Sequence, residues 1–148
     1  MKIMKSLLAL ALGLFCTAAF AQTSLQEAVA AGNKVFVQLV VDEEHPIADD
    51  EFEDVIGRLA EGGGWVSVAE ASEADFILNV VAKKKVVFNS PRTWLTPTVL
   101  DKEGNVLWKG DTYKADATMF NGFKSTNTCI KNVIEKGFQK NLFKKAGR

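Results

Sequence analysis

Few residues of this chain are of the types that carry out chemistry, and the first of them is its single histidine. His45 follows Asp42, Glu43 and Glu44, so an imidazole lies among three carboxylates that could bind a metal ion. These residues are neighbours in sequence, without the spaced ligand pairs of metal sites, and the chain lacks the G-x-S-x-G motif of many hydrolases. We therefore predict a solvated polar loop here, and no catalytic residue, metal or cofactor.

Cys129 is the second residue that could do chemistry, because it lies near the amino terminus of the last predicted helix. That position can lower the pKa of a thiol and make it a nucleophile. We interpret Cys129 as a half-buried structural cysteine, and the alternative is a small thiol enzyme that uses it. A buried Cys129 without a nearby acid or base would exclude this enzyme.

Basic and aromatic residues cluster between positions 83 and 94, where Lys83-Lys84-Lys85 and Arg92 flank Phe88 and Trp94. Such a mixture is found in grooves that bind single-stranded nucleic acid. The whole chain, however, carries 18 Lys and Arg against 18 Asp and Glu. This balance gives no reason to expect nucleic acid or an anionic membrane as a partner, so we predict a solvated strand end that also guards a sheet edge against aggregation.

A further group of contact-forming residues lies in segment 114–126, which shows no clear periodicity. Exposed methionine and aromatic side chains are typical of protein and ligand contacts. The segment either forms a functional loop or folds back to plug the core, and the sequence leaves both open. The predicted binding residues are Arg92, Trp94, Met119, Phe120 and Phe123.

Residues 1–21 have the pattern of a cleaved export signal. Two lysines precede an apolar run (Leu7–Phe15) and the small-x-small motif Ala19-Phe20-Ala21, which predicts cleavage after Ala21. The apolar run is shorter than the roughly 20 residues that span a bilayer. Cys16 follows Phe15 instead of the small residue that a lipoprotein site requires.

The remaining chain, 22–148, is predicted to be one periplasmic or secreted domain. It retains one cysteine, which excludes a disulfide framework, and it has no further segment that could span a membrane.

The elements that must position these residues are organised around a long strand over 75–88, rich in β-branched residues and free of Gly and Pro. Its almost continuously apolar first half, 76–82, predicts that both faces of the strand are covered there. Further strands are predicted over 34–41, 65–69, 92–100 and 106–113, and helices from Ser24, from Asp50 and from Thr126 or Asn127. We predict an α+β fold, a mainly antiparallel sheet of about five strands with two longer helices packed on one face and a split βαβ start.

The hairpin around Asp101-Lys102-Glu103-Gly104-Asn105 fixes which side of the sheet Trp94 occupies. If Leu100 pairs with Asn105, Trp94 lies on a mixed face and is half exposed, although a slip of one residue reverses this. The opposite face would then be the core, formed by Leu95, Val99, Val106 and Trp108. Pro97 cannot donate to a ladder, which predicts an edge strand or a bulge there.

The order of these elements, with the strand Ala74-Asp75-Phe76-Ile77-Leu78 and the hairpin motif from Asp101 to Trp108, resembles the small α/β domains of Gram-negative envelope assembly proteins. It is similar to the amino-terminal domain of the Tol translocation protein and to the curli-secretion and penicillin-binding-protein activator lipoproteins. The resemblance implies a domain without catalytic residues that binds other envelope proteins. The absent lipoprotein motif is a departure from the lipid-anchored members.

These observations together predict an exported, non-enzymatic binding or assembly module of the bacterial cell envelope, whose partner is another envelope protein. The alternatives are the thiol enzyme using Cys129 and a module that binds a small molecule or glycan, which would need a concave pocket beside Trp94. The sequence names neither the partner nor the oligomeric state.

Overall fold

The computed structural model describes residues 24–122 and 124–148, whose strands form one mixed sheet of six. The strands are β1 (Lys34–Val41), β2 (Val66–Ser67), β3 (Phe76–Val87), β4 (Ser90–Leu100), β5 (Val106–Lys109) and β6 (Tyr113–Asp116). Their order is β2-β1-β3-β4-β5, and β6 pairs with the other half of β4. Strand β1 is parallel to β2 and β3, whereas every pairing of β4 is antiparallel. The predicted α+β fold with a mainly antiparallel sheet is confirmed, with β6 as an additional strand.

Helices precede, interrupt and follow the strands. They are α1 (Leu25–Ala28), α2 (Asp49–Gly63) and a final helix that begins as α3 (Ser125–Asn132), continues as a π-helix (Val133–Leu142) and ends as α4 (Phe143–Ala146). The capping box of α1 is present, since Ser24 Oγ accepts from the Glu27 backbone at 3.1 Å and the Ser24 backbone donates to Glu27 Oε1 at 3.2 Å. Within the described residues, no helix is both long and apolar enough to cross a membrane.

The predicted signal over 1–21, with cleavage after Ala21, lies outside the described residues. The division of the chain into this signal and one domain over 22–148 therefore stays a prediction.

The long strand β3 is covered on one face only. Phe76, Leu78, Val80 and Ala82 are fully buried, whereas Val81 on the other face is 45% exposed. The prediction that both faces are covered over 76–82 is therefore wrong. A β-branched residue is favoured in a strand whether or not a second layer covers it, so an apolar run does not distinguish the two cases.

The buried face of the sheet joins the helices in one hydrophobic cluster. Trp65 lies in its middle, with ring centroids 4.9 Å from Phe76 on β3 and 5.2 Å from Phe138 on the final helix, both edge to face. Its indole nitrogen donates to the backbone oxygen of Val29 at 2.9 Å, which satisfies the one polar group of the ring. The split start of the fold and the packing of both longer helices on one face stay predictions.

The hairpin between β4 and β5 buries Val99 and Trp108 on one face as predicted, but in a different register from the predicted one. A pairing of Leu100 with Asn105 would set Val99 opposite Val106. Instead Val99 lies opposite Trp108 and Leu100 lies opposite Val106, with a register shift between Val99 and Leu100. Val106 is therefore 59% exposed, and its predicted place in the core is wrong. Buried Asp101 holds the connecting turn by accepting from the backbone of Glu103 and from Asn105.

Pro97 is tolerated inside the sheet because the strand pairing on one side of β4 has a gap at this position. Strand β4 pairs with β3 on one side and with β5 and β6 on the other, so it is no edge strand. On its other side, Gly110 separates β5 from β6 and donates to the Pro97 backbone oxygen at 2.9 Å. The proline nitrogen points to this same interrupted side, because the N–H and C=O of one residue in an antiparallel strand face the same neighbour.

Strands β3 and β4 are joined by a turn of two residues, Phe88 and Asn89, since Val87 pairs with Ser90. Both turn residues have positive φ, 51° and 66°, as a type I′ hairpin turn requires. The sequence predicted the turn at Asn89-Ser90-Pro91, so it lies one residue earlier than expected.

Candidate binding surface

The register of the sheet places a cluster of cations around Trp94 on the face opposite the core. Lys83 on β3 and Lys114 on β6 both pair with Trp94 on β4, and one step along the strands Lys85 pairs with Arg92. Paired residues lie on the same face, so the five side chains converge from three strands. We call Lys83, Lys85, Arg92, Trp94 and Lys114 the Trp94 surface.

Two of these cations lie close to the indole ring of Trp94, which is half-buried. Lys83 Nζ is 5.2 Å and Arg92 Cζ is 5.8 Å from the ring centroid. Both distances are within the range of cation–π attraction, which contributes about 0.5–1 kcal/mol at an exposed site. Both cations therefore favour the observed position of the ring by a small amount.

Arg92 is further fixed by Asp116, its cross-strand partner on β6. The guanidinium donates to both carboxylate oxygens, from Nε and, at 3.2 Å, from Nη2. This hydrogen bond raises the pKa of Arg92 and lowers the pKa of Asp116. Because Arg92 has an acid of its own, a ligand would find available positive charge first on the lysines.

The turn that carries Met119 is attached to the strand end beside Asp116. Asn121 Nδ2 donates to the Asp116 backbone oxygen at 2.8 Å, and Asn121 Oδ1 accepts from the backbone of Thr118 at 2.9 Å and of Lys124 at 3.1 Å. Met119 is 72% exposed on this turn. Asn121 is not among the residues predicted from sequence, although Thr118 and Asn121 have the spacing of a capping box.

The predicted loop over 114–126 is shorter than expected. Tyr113–Asp116 is strand β6, and helix α3 begins at Ser125. The structure brings Arg92 and Trp94 together and places Met119 in an exposed turn, so Met119 does not plug the core. The side chain of Phe120 and the whole of Phe123 lie outside the described residues, and their predicted binding role stays a prediction.

Cys129 is fully buried, with Sγ donating to the Tyr113 backbone oxygen at 3.2 Å. Burial raises the pKa of this thiol to about 12, against a smaller opposing effect of the Leu95 backbone. At neutral pH the sulfur is therefore a protonated thiol, which is a poor nucleophile. This geometry gives no support to the thiol-enzyme alternative.

The loop around His45 is attached to the hairpin through its backbone. His45 accepts from the Lys84 backbone at 2.9 Å and donates to the Asp42 backbone oxygen at 3.2 Å. In the ranges 24–122 and 124–148, no group of three or more His, Cys, Asp or Glu side chains is arranged to hold a metal ion.

Three clefts on the described part of the chain, with volumes of about 310, 460 and 390 Å³, are lined by residues other than Trp94. The largest lies beside the ion pair of Lys84 and Glu51, whose nitrogen and oxygen are 3.0 Å apart. None of these three clefts is the pocket beside Trp94 that the small-molecule or glycan alternative requires.

No protein-family model matches the chain, and comparison with curated proteins gives no match. Among solved structures, the PelC dodecamer from Paraburkholderia phytofirmans is similar, with a TM-score of 0.51 and 18% identity over 71% of this chain and 84% of that one. A substituted form of the same PelC gives 0.50 and 16%, over 71% and 85%. A minor lipoprotein from Acinetobacter baumannii gives 0.46 and 14%, over 76% and 92%.

At these identities the likeness to PelC shows a shared fold. None of these three structures is by name a Tol translocation, curli-secretion or penicillin-binding-protein activator protein. The resemblance to those particular families stays a prediction.

Proposed function

We propose that this chain is an exported, non-enzymatic binding or assembly module of the bacterial cell envelope, and that it contacts another envelope protein through the Trp94 surface. The observation that carries the proposal is a half-buried indole in contact with two cations, on the sheet face opposite the core. In this proposal both longer helices cover the Phe76 face of the sheet. The opposite face is then left for contacts.

The chemistry of the surface defines the partner. A half-buried tryptophan with arginine and lysine around it is typical of interface hot spots, where aromatic and Arg side chains contribute most. Lys83, Lys85 and Lys114 add positive charge next to the ring, whereas Arg92 already has Asp116 as an acid. The partner would therefore present an acidic surface with an apolar centre, and Met119 would contact its rim.

The envelope location rests on the predicted signal over 1–21 and its cleavage after Ala21.

Self-assembly is a second candidate, supported by the dodecameric state of the PelC structure. Light scattering of the purified protein tests it, because a strictly monomeric protein over a wide concentration range would exclude self-assembly.

A photo-crosslinking amino acid at position 94 tests the proposed function in intact cells. We expect one dominant crosslinked envelope protein from Trp94, and none from the same probe at exposed Lys102 in the β4–β5 turn. Reversing the local charge with Lys83→Glu and Lys85→Glu should reduce the Trp94 crosslink while the protein stays folded. Equal crosslinking from positions 94 and 102 would contradict a specific surface.

A further inference from the structure

The turn between β3 and β4 carries the most exposed aromatic side chain of the described residues. Phe88 is 97% exposed, and Val86, two residues before it, is 65% exposed. Strand β3 contacts β1 and then, at Lys84, the backbone of His45. After Lys84, its only strand partner among the described residues is β4. We call Val86–Asn89 the hairpin tip. On the β4 side, Ala117 still bonds to Ser90 and Pro91, so it is the turn Phe88-Asn89 that continues beyond the neighbouring chain.

The conformation of Phe88 is a costly one for its side chain. Its φ of 51° lies in the left-handed region, which Asn, Asp and Gly adopt readily and bulky residues rarely do. Asn89, the next residue, is of a type expected in such a turn, whereas Phe88 is not. A strained and fully exposed aromatic ring contributes nothing to the fold, so its role lies in a contact outside it.

The two strands that lead into and out of the tip carry charges of one sign only. Residues 83–92 contain four cations and no acid. Lys85 and Arg92 pair across the two strands, and Lys85 lies three residues from Phe88, roughly 10 Å at the rise of a strand. Two of the four cations have acidic partners, since Lys84 pairs with Glu51 and Arg92 pairs with Asp116. The main positive charge that faces outward therefore belongs to Lys83 and Lys85. The near-zero charge of the whole chain conceals this local segregation.

We propose that the hairpin tip inserts Phe88 and Val86 into the interface of an anionic phospholipid bilayer, while Lys85 and Lys83 contact the lipid phosphates. Apolar side chains of interfacial segments enter about 5–10 Å into the headgroup region, which matches the distance from Phe88 back to Lys85. Each lysine near an anionic surface strengthens binding about fivefold. A bilayer can bury an exposed aromatic turn without a shaped groove, which suits Phe88 and Val86 on their exposed hairpin.

Vesicle flotation of the protein purified after export tests the inference. We expect it to float with vesicles of phosphatidylglycerol and phosphatidylcholine, and Phe88→Asn to weaken this partition at least about tenfold. Asn suits the turn, so this variant should melt at a higher temperature than the wild type and cannot fail through misfolding. Phe88→Trp should retain binding, and Val106→Asn, an exposed apolar residue on the far strand, is the matched control.

Three outcomes would overturn the proposal. They are the absence of flotation, flotation that Phe88→Asn leaves unchanged, and equal flotation with pure phosphatidylcholine. A crosslinker at position 88 that captures a protein while the vesicles bind nothing would assign the tip to a protein contact instead. The result is separable from the proposed function, because crosslinking from Trp94 to an envelope protein requires no lipid binding by Phe88.

Discussion

The burial of Cys129 predicts how fast its thiol reacts in the folded protein. The pKa of this group rises from an ordinary 9.0 to about 12. Because the thiolate is the reactive form, a rise of that size lowers its fraction at neutral pH about a thousandfold. Burial of the sulfur against the Tyr113 backbone also blocks access of the reagent, so reaction should require opening of the structure.

The assay compares the rate of reaction with an aromatic disulfide reagent in the folded and the urea-unfolded protein. Cys16→Ser makes Cys129 the only thiol in any chain that retains the signal. We expect the folded thiol to react at least about a thousandfold more slowly at neutral pH. A folded thiol that reacts as fast as the unfolded one, or faster, would refute this reasoning and support the thiol-enzyme alternative.

The same shift makes stability depend on alkaline pH. Because the pKa of Cys129 is higher in the folded than in the unfolded protein, its thiol contributes fully to the unfolding free energy below the ordinary pKa. This contribution is lost as the pH rises from 9.0 toward about 12. The full loss is about 4 kcal/mol of unfolding free energy. Urea unfolding between neutral pH and about pH 10 should show a steeper decline for the wild type than for Cys129→Ala.

Two further predictions concern the core and the β4–β5 turn. Phe138→Ala should lower the unfolding free energy by about 3–5 kcal/mol in urea titrations, because the ring is fully buried against Trp65, whereas exposed Gln139→Ala should change it by less than about 0.5 kcal/mol. Burial alone would raise the pKa of Asp101, but its hydrogen bonds outweigh this and lower it, so its stabilising effect is present above a pH of about 4 and is lost in acid. Asp101→Asn should lower the unfolding free energy by about 1–3 kcal/mol at neutral pH and make it less dependent on acid pH. Glu103→Gln is the exposed control. Equal acid profiles of unfolding for Asp101→Asn and the wild type would contradict this role.

Local signals predicted the elements whose causes lie within a few residues. The Ser24 and Glu27 capping box and the hairpin around Asp101 both formed, because each needs only neighbouring backbone groups. Strand β6 was missed because Tyr113–Asp116 is too short to show a period, and it is a strand only through pairing with β4. Tertiary pairing of this kind has no local signature.

The same limit decided how much of the binding surface could be predicted. Arg92, Trp94 and the lysines at 83–85 stood out as a basic and aromatic group in sequence, and the register of β3 and β4 places Lys83 opposite Trp94. Lys114 and Asp116 belong to β6, so the acid that fixes Arg92 could not be foreseen. The charge of a surface is therefore harder to predict than its aromatic centre, because charged partners arrive from strands that only the register brings together.

Phe88 illustrates the opposite case, in which a strong local rule was misleading. An aromatic residue after Val86 and Val87 extends an apolar strand pattern, and Asn-Ser-Pro after it is a good turn, so the pattern favours a turn one residue later. The pairing of Val87 with Ser90 overrides this and forces positive φ on Phe88. A position that violates the local rule without any gain in packing, since the ring is 97% exposed, is where function explains the residue better than folding does.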